Sequence, residues 1–366
     1  MNILLITHED FLAGSTFSVS YLAGALAARG NQVYVAARKD SLLHELVTQI
    51  PAVTFLPITI RSKFDRAAMR LLKQWVDTYQ IDVVNAQSSK DRYITIFARM
   101  FYGVRAKLFH TRRQYPMSAG GALQRKLYVS GTDKIIVISH ELKRIFIQKG
   151  FPPNHLHVIH NGIPANRYKQ WSETSVQQLR EKYGIQPGDV VIGSIARLKR
   201  QEQIIRALAI LNRPEVKVVF VGIEVGYFDK LCSEHGIRNE IIYAGAVKAD
   251  VVLNYYKLLT INILASTMDG FGLVLLEAMA MGTAVIATRF GGIIDVVQHD
   301  VNGLLFDDGD CQTLARHIGT LLDDNALRQR LIEQGYKAAF EEFSIEKTAA
   351  RYESFFKEQL NLTPVH

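Results

Sequence analysis

The sequence predicts an α/β protein of two doubly wound domains, each a parallel sheet wrapped by helices on both faces, with a cleft between them as the natural ligand site. Three observations carry that expectation. Short apolar runs alternate with stretches of helical periodicity along nearly the whole chain. The 366 residues exceed one ordinary core and suit two domains of roughly 150–200 residues each. The alternation breaks once, at Asn161-Gly162-Ile163-Pro164 and the polar stretch through Arg180, and resumes after the turn Gln186-Pro187-Gly188-Asp189.

The first series of predicted strands is 3–7, 32–36, 53–56, 82–86, 107–110, 134–138 and 157–159. The second is 190–195, 216–221, 241–243, 261–264 and 284–286. The opening unit is the clearest: a Gly-containing loop, then a helix with Val19, Leu22, Ala23 and Leu26 on one face, stopped by Gly30 before the chain returns to the sheet. From Asn325 the chain reads as helix to about Leu360, with no strand left to pack. The expected division is an amino-terminal domain over 1–165, a linker over 166–188, a second domain over 189–343, and a carboxy-terminal helix over 344–366 crossing back to the first domain.

With 48% apolar and 21% charged residues the chain is globular rather than disordered or fibrous. No run approaches the roughly 18 apolar residues of a membrane span; the longest candidate, 258–265, is interrupted by Thr260 and Asn262. The start, Met1 to Ile6, has no basic segment or cleavage site and reads as a strand rather than a signal peptide. Cys232 and Cys311 sit in no metal or redox spacing, which suits a reducing, cytoplasmic location.

Charge is unevenly divided. Residues 1–165 carry 21 Lys+Arg against 10 Asp+Glu, a balance of +11; the remaining residues carry 22 against 25, a balance of −3. One domain is therefore expected to face an anionic partner such as anionic lipid, a phosphorylated acceptor or nucleic acid. Nucleic acid is the weakest of these, since no recognised binding module is present and the charge is confined to one half. Segment 61–75 combines helical apolar spacing with Arg61, Lys63, Arg66, Arg70 and Lys73, and Arg112-Arg113 and Arg125-Lys126 add two basic pairs. These residues are candidates for an acceptor or membrane face, peripheral at the inner side of the cell membrane.

The most specific stretch is 266–287, which follows the predicted strand 261–264 and opens a helix. Gly270 and Gly272 let backbone approach a ligand closely, and the helix start offers unpaired N–H groups and a positive dipole end, which together suit a diphosphate. Glu277 lies among Val274, Leu275, Leu276, Ala278 and Met279, so its carboxylate needs partners, and the hydroxyls of a ribose would supply them. Asp269 on the loop would face another part of the ligand.

Asp269-Gly270-Phe271-Gly272-Leu273, with Glu277 eight residues after Asp269, resembles the acidic pair of the retaining glycosyltransferases of GT-B architecture, in family 4 (group 1). The first acid is Asp rather than the commoner Glu. The resemblance runs along nearly the whole chain and implies two Rossmann-like domains of the GT-B fold. Segment 193–199 is similar to the family's Gly-Arg-Leu…Lys segment, implying that Arg197 and Lys199 clamp the donor diphosphate. Segment 219–222 resembles the strand and Gly near the nucleotide base, which implicates Gly222, and Gly291-Gly292-Ile293 matches a Gly-Gly turn. Asn302-Gly303-Leu304-Leu305 matches a structural loop.

In the amino-terminal half, Ala13-Gly14-Ser15-Thr16 occupies the place of the family's Gly-Gly loop with one glycine kept, at Gly14. Gln87 stands where the family has a His near the reacting sugar; a Gln hydrogen-bonds but takes no proton near pH 7. Phe109-His110-Thr111 resembles a segment at a strand end facing the cleft, which makes His110 a candidate polar contact. Asp308-Gly309-Asp310 matches an Asp-x-Asp metal motif of other glycosyltransferases, but its context makes it a loop and helix cap.

The resemblance implies a sugar-nucleotide-dependent hexosyltransferase with no cofactor and no metal. It moves a sugar to a glycan or glycolipid acceptor, lipid-linked or in cell-surface polysaccharide or lipopolysaccharide biosynthesis. The candidate catalytic residues are Arg197, Lys199, Asp269, Gln87 and His110. The candidate donor-binding residues are Gly14, Gly222, Gly270, Phe271, Gly272, Leu273 and Glu277. A catalytically weak sugar-nucleotide-binding protein of the same fold is the alternative, favoured by Gln87, Asp269 and the single Gly14. An epimerase of this architecture would not need Arg197 and Lys199, and a dehydrogenase would need a G-x-G-x-x-G that 8–16 lacks.

Overall fold

The computed structural model describes residues 1–8, 14–115 and 121–362, and it divides into two compact units, Met1–Gly162 with Ile345–His366, and Ile163–Ser344. Ala13 of the expected glycine loop lies outside the described residues. In the first unit the order is β1 (Asn2–Ile6), α1 (Gly14–Ala28), β2 (Gln32–Ala37), α2 (Leu42–Thr48), β3 (Val53–Pro57), α3 (Arg66–Thr78), β4 (Val83–Ala86), α4 (Ser89–Tyr102), β5 (Lys107–Arg112), α5 (Ala122–Gly131), β6 (Lys134–Val137), α6 (His140–Gln148) and β7 (Leu156–Val158). The strands form one parallel sheet in the order β3-β2-β1-β4-β5-β6-β7, so the strand order reverses beside β1. Ile3 to Ile6 of β1 are fully buried, as a central strand covered on both faces requires. Local signals fix the helices. Asp65 caps α3 by accepting from the N–H groups of Ala67 and Ala68, each at 3.1 Å, while Ser88 and Asp91 form a capping box at α4.

The second unit repeats the plan with α7 (Glu173–Lys182), β8 (Val191–Ile195), α8 (Glu202–Leu211), β9 (Lys217–Val221), α9 (Asp229–Glu234), β10 (Ile241–Gly245), α10 (Val252–Leu258), β11 (Ile261–Leu264), α11 (Leu273–Ala280), β12 (Ala284–Thr288), α12 (Ile293–Val296), β13 (Leu304–Phe306), α13 (Cys311–Asp323) and α14 (Asn325–Lys337). Its sheet is parallel, in the order β10-β9-β8-β11-β12-β13, and reverses between β8 and β11. Ligands of such sheets bind outside the carboxyl ends of the strands at the reversal. The loops after β8 and β11 carry the motifs singled out above.

Three segments differ from expectation. Residues 166–188, read as a linker, fold into the second unit: α7 packs on α10, Tyr183 and Tyr255 share a hydroxyl hydrogen bond of 2.9 Å, and Lys257 lies 4.8 Å over the Trp171 ring. Leu304–Phe306 is an added edge strand, too short to show a period, although Leu304, Leu305 and Phe306 are all buried. The tail is not one helix. A π-turn over Ala338–Glu342 ends the run from α14, and the chain restarts as α15 (Ile345–Gln359). No helix among the described residues is long and apolar enough to cross a membrane.

α15 belongs to the first unit and packs on α1. Tyr352, Phe355 and Phe356 join the core around β1, with Phe356 stacked on Phe109 at 5.0 Å. Phe356→Ala is therefore expected to destabilise the unit by about 3–5 kcal/mol, although the residue is only ten from the chain end in sequence. Denaturant unfolding checks this; a loss below about 1 kcal/mol would show that α15 is a dispensable tail.

Candidate functional site

In the second unit the site grows from the loop between β11 and α11. The Thr288 hydroxyl donates to the Ser266 carbonyl at 2.6 Å and accepts from the Ser266 N–H at 2.8 Å, tying the loop to the end of β12. Gly272 takes φ 85°, a left-handed conformation in which the chain turns into the helix. A Cβ on residue 292 would stand 1.9 Å from the Gly270 carbonyl oxygen, and the Gly292 N–H donates to the Asp269 carbonyl at 3.2 Å. The Gly291-Gly292 turn thus presses on the loop backbone from behind. α11 starts without a side-chain cap and without an acid in its first turn; the Leu275 N–H bonds back to the Gly272 carbonyl at 2.9 Å, and the N–H groups before it have no side-chain cap, as an anion-binding helix start requires.

The loop after β8 brings the cations. Gly222, at φ 91°, lets the end of β9 approach the Ala196 carbonyl, where a Cβ would sit 2.8 Å away. The fully buried Gln201 staples this loop from below. Its Nε2 donates to the Arg197 carbonyl at 3.0 Å, and its Oε1 accepts from the Lys199 N–H at 2.6 Å. Arg197 is exposed at the surface. The Lys199 ammonium lies 3.6 Å from Asp269 Oδ1, while the other carboxylate oxygen of Asp269 is buried with no hydrogen-bond partner among the described residues. A buried oxygen without a donor is a place for a ligand hydroxyl. Arg200 is already engaged by Glu202 and Asp308, each at 2.8 Å, and Asp310 caps α13 by accepting from the Thr313 N–H. Both acids of Asp308-Gly309-Asp310 thus have structural partners.

Glu277 projects from α11 half-buried. Its Oε1 accepts from the Tyr168 hydroxyl at 3.3 Å and its Oε2 from the Tyr256 hydroxyl at 3.0 Å. Burial pushes the carboxyl above the usual range, with Arg167 and the two tyrosines opposing it only in part. Tyr256 is pushed well above its ordinary value by burial and by Glu277. The partners expected from a ribose are thus supplied in part by the protein, and each oxygen keeps lone-pair capacity for a ligand. Phe271 and Leu273 belong to the fold of this segment: Phe271 is buried against Phe343, ring centroids 5.6 Å apart, and Leu273 begins α11.

In the first unit Gln87 follows β4, beside Ser15 and Thr16 at the start of α1, which opens at Gly14. Arg113 joins them by donating to Gln87 Oε1, and the Gln87 N–H donates to Asp91 at 2.8 Å. Asp91 also meets His8 at 2.9 Å and the Ser88 hydroxyl. Burial opposes the ionisation of Asp91 most strongly, but hydrogen bonds from His8 and Ser88 together hold its carboxyl below the usual range. His8, Ser88, Asp91 and Gln201 were not among the residues singled out in the sequence. Ser88 with Asp91 three residues later is a capping-box pattern, which could have found those two; no local signal marks His8 or Gln201.

His110 is corrected from a ligand contact to a core residue. It is 1% exposed, lies 3.4 Å from the Thr95 hydroxyl, and stands edge-on to Tyr128. Burial, reinforced by Arg92 and Arg112, holds it well below the usual histidine value, so it stays neutral. Successive residues of β5 alternate faces, and it is Thr111 that turns to the other side, toward Asn85 and Tyr352. Of the basic candidates, Arg61, Lys63, Arg66 and Arg70 are exposed, Lys73 pairs with Asp77, and Arg112 packs over Phe146 at 4.8 Å.

Residues 175–338 match the family described as glycosyl transferases group 1, and residues 13–167 match glycosyltransferase family 4. The chain is 25% identical over 374 residues to N-acetyl-alpha-D-glucosaminyl L-malate synthase of Bacillus anthracis, covering 97% of this chain and 96% of that protein. It is 28% identical over 251 residues to D-inositol 3-phosphate glycosyltransferase of Xylanimonas cellulosilytica, covering 64% of this chain and 59% of that one. In fold it is similar to HepE of Anabaena, solved in complex with UDP, with a TM-score of 0.81 at 23% identity, covering 98% of this chain and all of that one.

The Gly292 contact makes a direct test possible. Gly292→Ala should displace the loop, lower stability by about 1–3 kcal/mol and weaken diphosphate binding. Gly319→Ala in α13, where a Cβ meets only Leu211 at an ordinary 3.4 Å, should do neither. Thermal melts and titration with a nucleoside diphosphate check both; equal behaviour of the two variants would contradict the packing argument.

Proposed function

Because the chain belongs to the group 1, family 4 glycosyltransferases, we propose that it moves a sugar from a nucleoside diphosphate sugar to an anionic acceptor, with retention of anomeric configuration and without a metal. The acceptor is lipid-linked or part of a cell-surface polysaccharide or lipopolysaccharide, and the enzyme works peripherally at the cytoplasmic side of the membrane. The observation that carries this reading is the juxtaposition in the second unit of an uncapped helix start, Lys199, and an Asp269 oxygen that is buried without a partner.

In this reading the start of α11 with Arg197 and Lys199 stabilises the charge that develops on the diphosphate as the sugar's C–O bond breaks. Asp269 accepts from a hydroxyl of the transferred sugar, and Glu277 from the ribose. Gln87, held by Arg113, can position the sugar but cannot take a proton. The departing phosphate oxygen therefore accepts the proton of the attacking acceptor hydroxyl on the same face. The names of the two relatives given above, for L-malate and for D-inositol 3-phosphate, support an anionic acceptor. So does the +11 balance of residues 1–165, with Arg66 and Arg70 exposed on α3 and Arg61 exposed in the turn before it.

A panel of sugar nucleotides screened for thermal stabilisation and donor turnover tests the reading, since a bound donor raises stability by RT ln(1 + [L]/Kd). Binding without turnover on any acceptor would favour the catalytically weak alternative. Activity is expected to survive chelation, because side chains and a helix end supply the positive charge; loss with EDTA and recovery with Mn²⁺ would contradict this.

Glu277 yields a prediction in which stability and binding move apart. Its carboxyl is raised on folding, so the stability it adds is present below its ordinary value and lost as pH rises through the raised folded value. At neutral pH Glu277→Gln should therefore melt higher than the wild type while weakening donor binding by about 1.5–3 kcal/mol. Melts without donor and calorimetry with donor check this; a variant that melts lower and keeps donor affinity would remove Glu277 from the site.

A further inference from the structure

We propose that the face of the first unit formed by α4 and the turn before α3 binds the phosphate head group of an anionic membrane lipid, with the lipid's apolar part lying over an exposed aromatic band. This rests on the reading that the protein works at a membrane, and it assigns residues beyond the α3 cations.

The band follows from helical spacing. Tyr93, Phe97 and Phe101 stand four residues apart on α4, with ring centroids 6.1 Å and 5.8 Å apart along the series. Phe64, from the turn before α3, stacks on Phe97 at 5.1 Å and nearly parallel. Phe64 is 69% exposed, Phe101 67% and Met100 57%. Large apolar side chains gathered on one face mark an interaction surface, whereas scattered ones do not.

Cations line the end of this band, and among the described residues they have no paired counter-charge. Lys63 Nζ lies 4.6 Å over the Tyr93 ring. Arg92 adjoins Tyr93, and its Nε is buried without a hydrogen bond. Among the described residues Lys63, Arg92 and Arg112 have no carboxylate partner within ion-pair distance. Burial first, and then the neighbouring Arg92, hold the Arg112 guanidinium down to about 9, so these cations repel one another. The same Arg92 and Arg112 bear on Tyr128 and His110, and Lys63 with Arg92 on Tyr93. An anion placed among them would relieve that repulsion, and two guanidinium groups beside tyrosine hydroxyls match phosphate oxygens. A phosphate site continuous with an apolar band has the polarity of an amphiphile at a bilayer surface, where apolar burial and anionic attraction act together.

The test uses the full chain and phosphatidylcholine vesicles doped with phosphatidic acid or with phosphatidylglycerol to equal surface charge. Phosphatidic acid, whose phosphate is a terminal monoester, should bind at least about tenfold tighter. Arg92→Gln and Phe101→Ser should each abolish that preference while keeping the wild-type donor affinity, which also reports that they fold. Neutralising Arg61, Arg66 and Arg70 should weaken both lipids alike. Equal binding of the two lipids, unchanged in both variants, would overturn the site and leave the membrane reading standing. Absence of vesicle binding, with inorganic phosphate stabilising the wild type but not Arg92→Gln, would overturn the lipid and point to a soluble anion. Absence of both would overturn the site and the membrane reading together.

Discussion

The Gly270 carbonyl lies 1.9 Å from the point where a Cβ on residue 292 would stand, so the loop after β11 and the turn after β12 meet backbone to backbone. That contact fixes how the chain enters α11, and with it the direction of the uncapped helix start. The same device recurs on the other side of the strand reversal. A Cβ on Gly193 would meet the Val219 carbonyl at 2.3 Å, and one on Gly222 the Ala196 carbonyl at 2.8 Å. The loop bearing Arg197 and Lys199 is therefore set by main-chain packing as well, with Gln201 bonded to it from within. Protein interiors resist such displacements because they are close-packed, so small side chains at these points position charge several residues away.

The cations after β8 in the second unit are engaged to different degrees. Arg200, which adjoins Lys199 in sequence, is held by Glu202 and Asp308. The Lys199 ammonium meets, at 3.6 Å, the Asp269 carboxylate, whose other oxygen has no donor among the described residues. A partly exposed pair at that distance contributes little to folding. In the proposed reading its value lies in keeping a cation and an acceptor beside the helix start for a diphosphate and a sugar.

Much of this was legible in the sequence, for physical reasons that also explain the failures. The strands of both sheets announce themselves as apolar runs because parallel strands are buried on both faces, as Ile3–Ile6 and Ile261–Leu264 are. The loop 266–272 and its helix were legible because glycines directly after an apolar strand mark a turn, and the apolar run from Leu273 that follows has helical length. Leu304–Phe306 was not, since three residues show no period. His110 was misread because a polar residue at a strand end looks alike whether it turns toward a ligand or toward Tyr128. The hydroxyls that meet Glu277 come from Tyr168 and Tyr256, and nothing local links those positions to residue 277. Residues 166–188 looked like a linker because α7 is polar on most of its surface, with Val176 its buried residue.

The central claim is that the loop after β11, Arg197 and Lys199 were brought together to hold a diphosphate. Calorimetric titration with a nucleoside diphosphate and the matching nucleoside monophosphate tests it most directly. The account predicts that the diphosphate binds at least about tenfold tighter, because a second phosphate reaches the helix start and the Lys199 ammonium through charge-assisted hydrogen bonds. Equal affinities would mean that these groups hold the loop together without engaging the ligand, and would contradict the account.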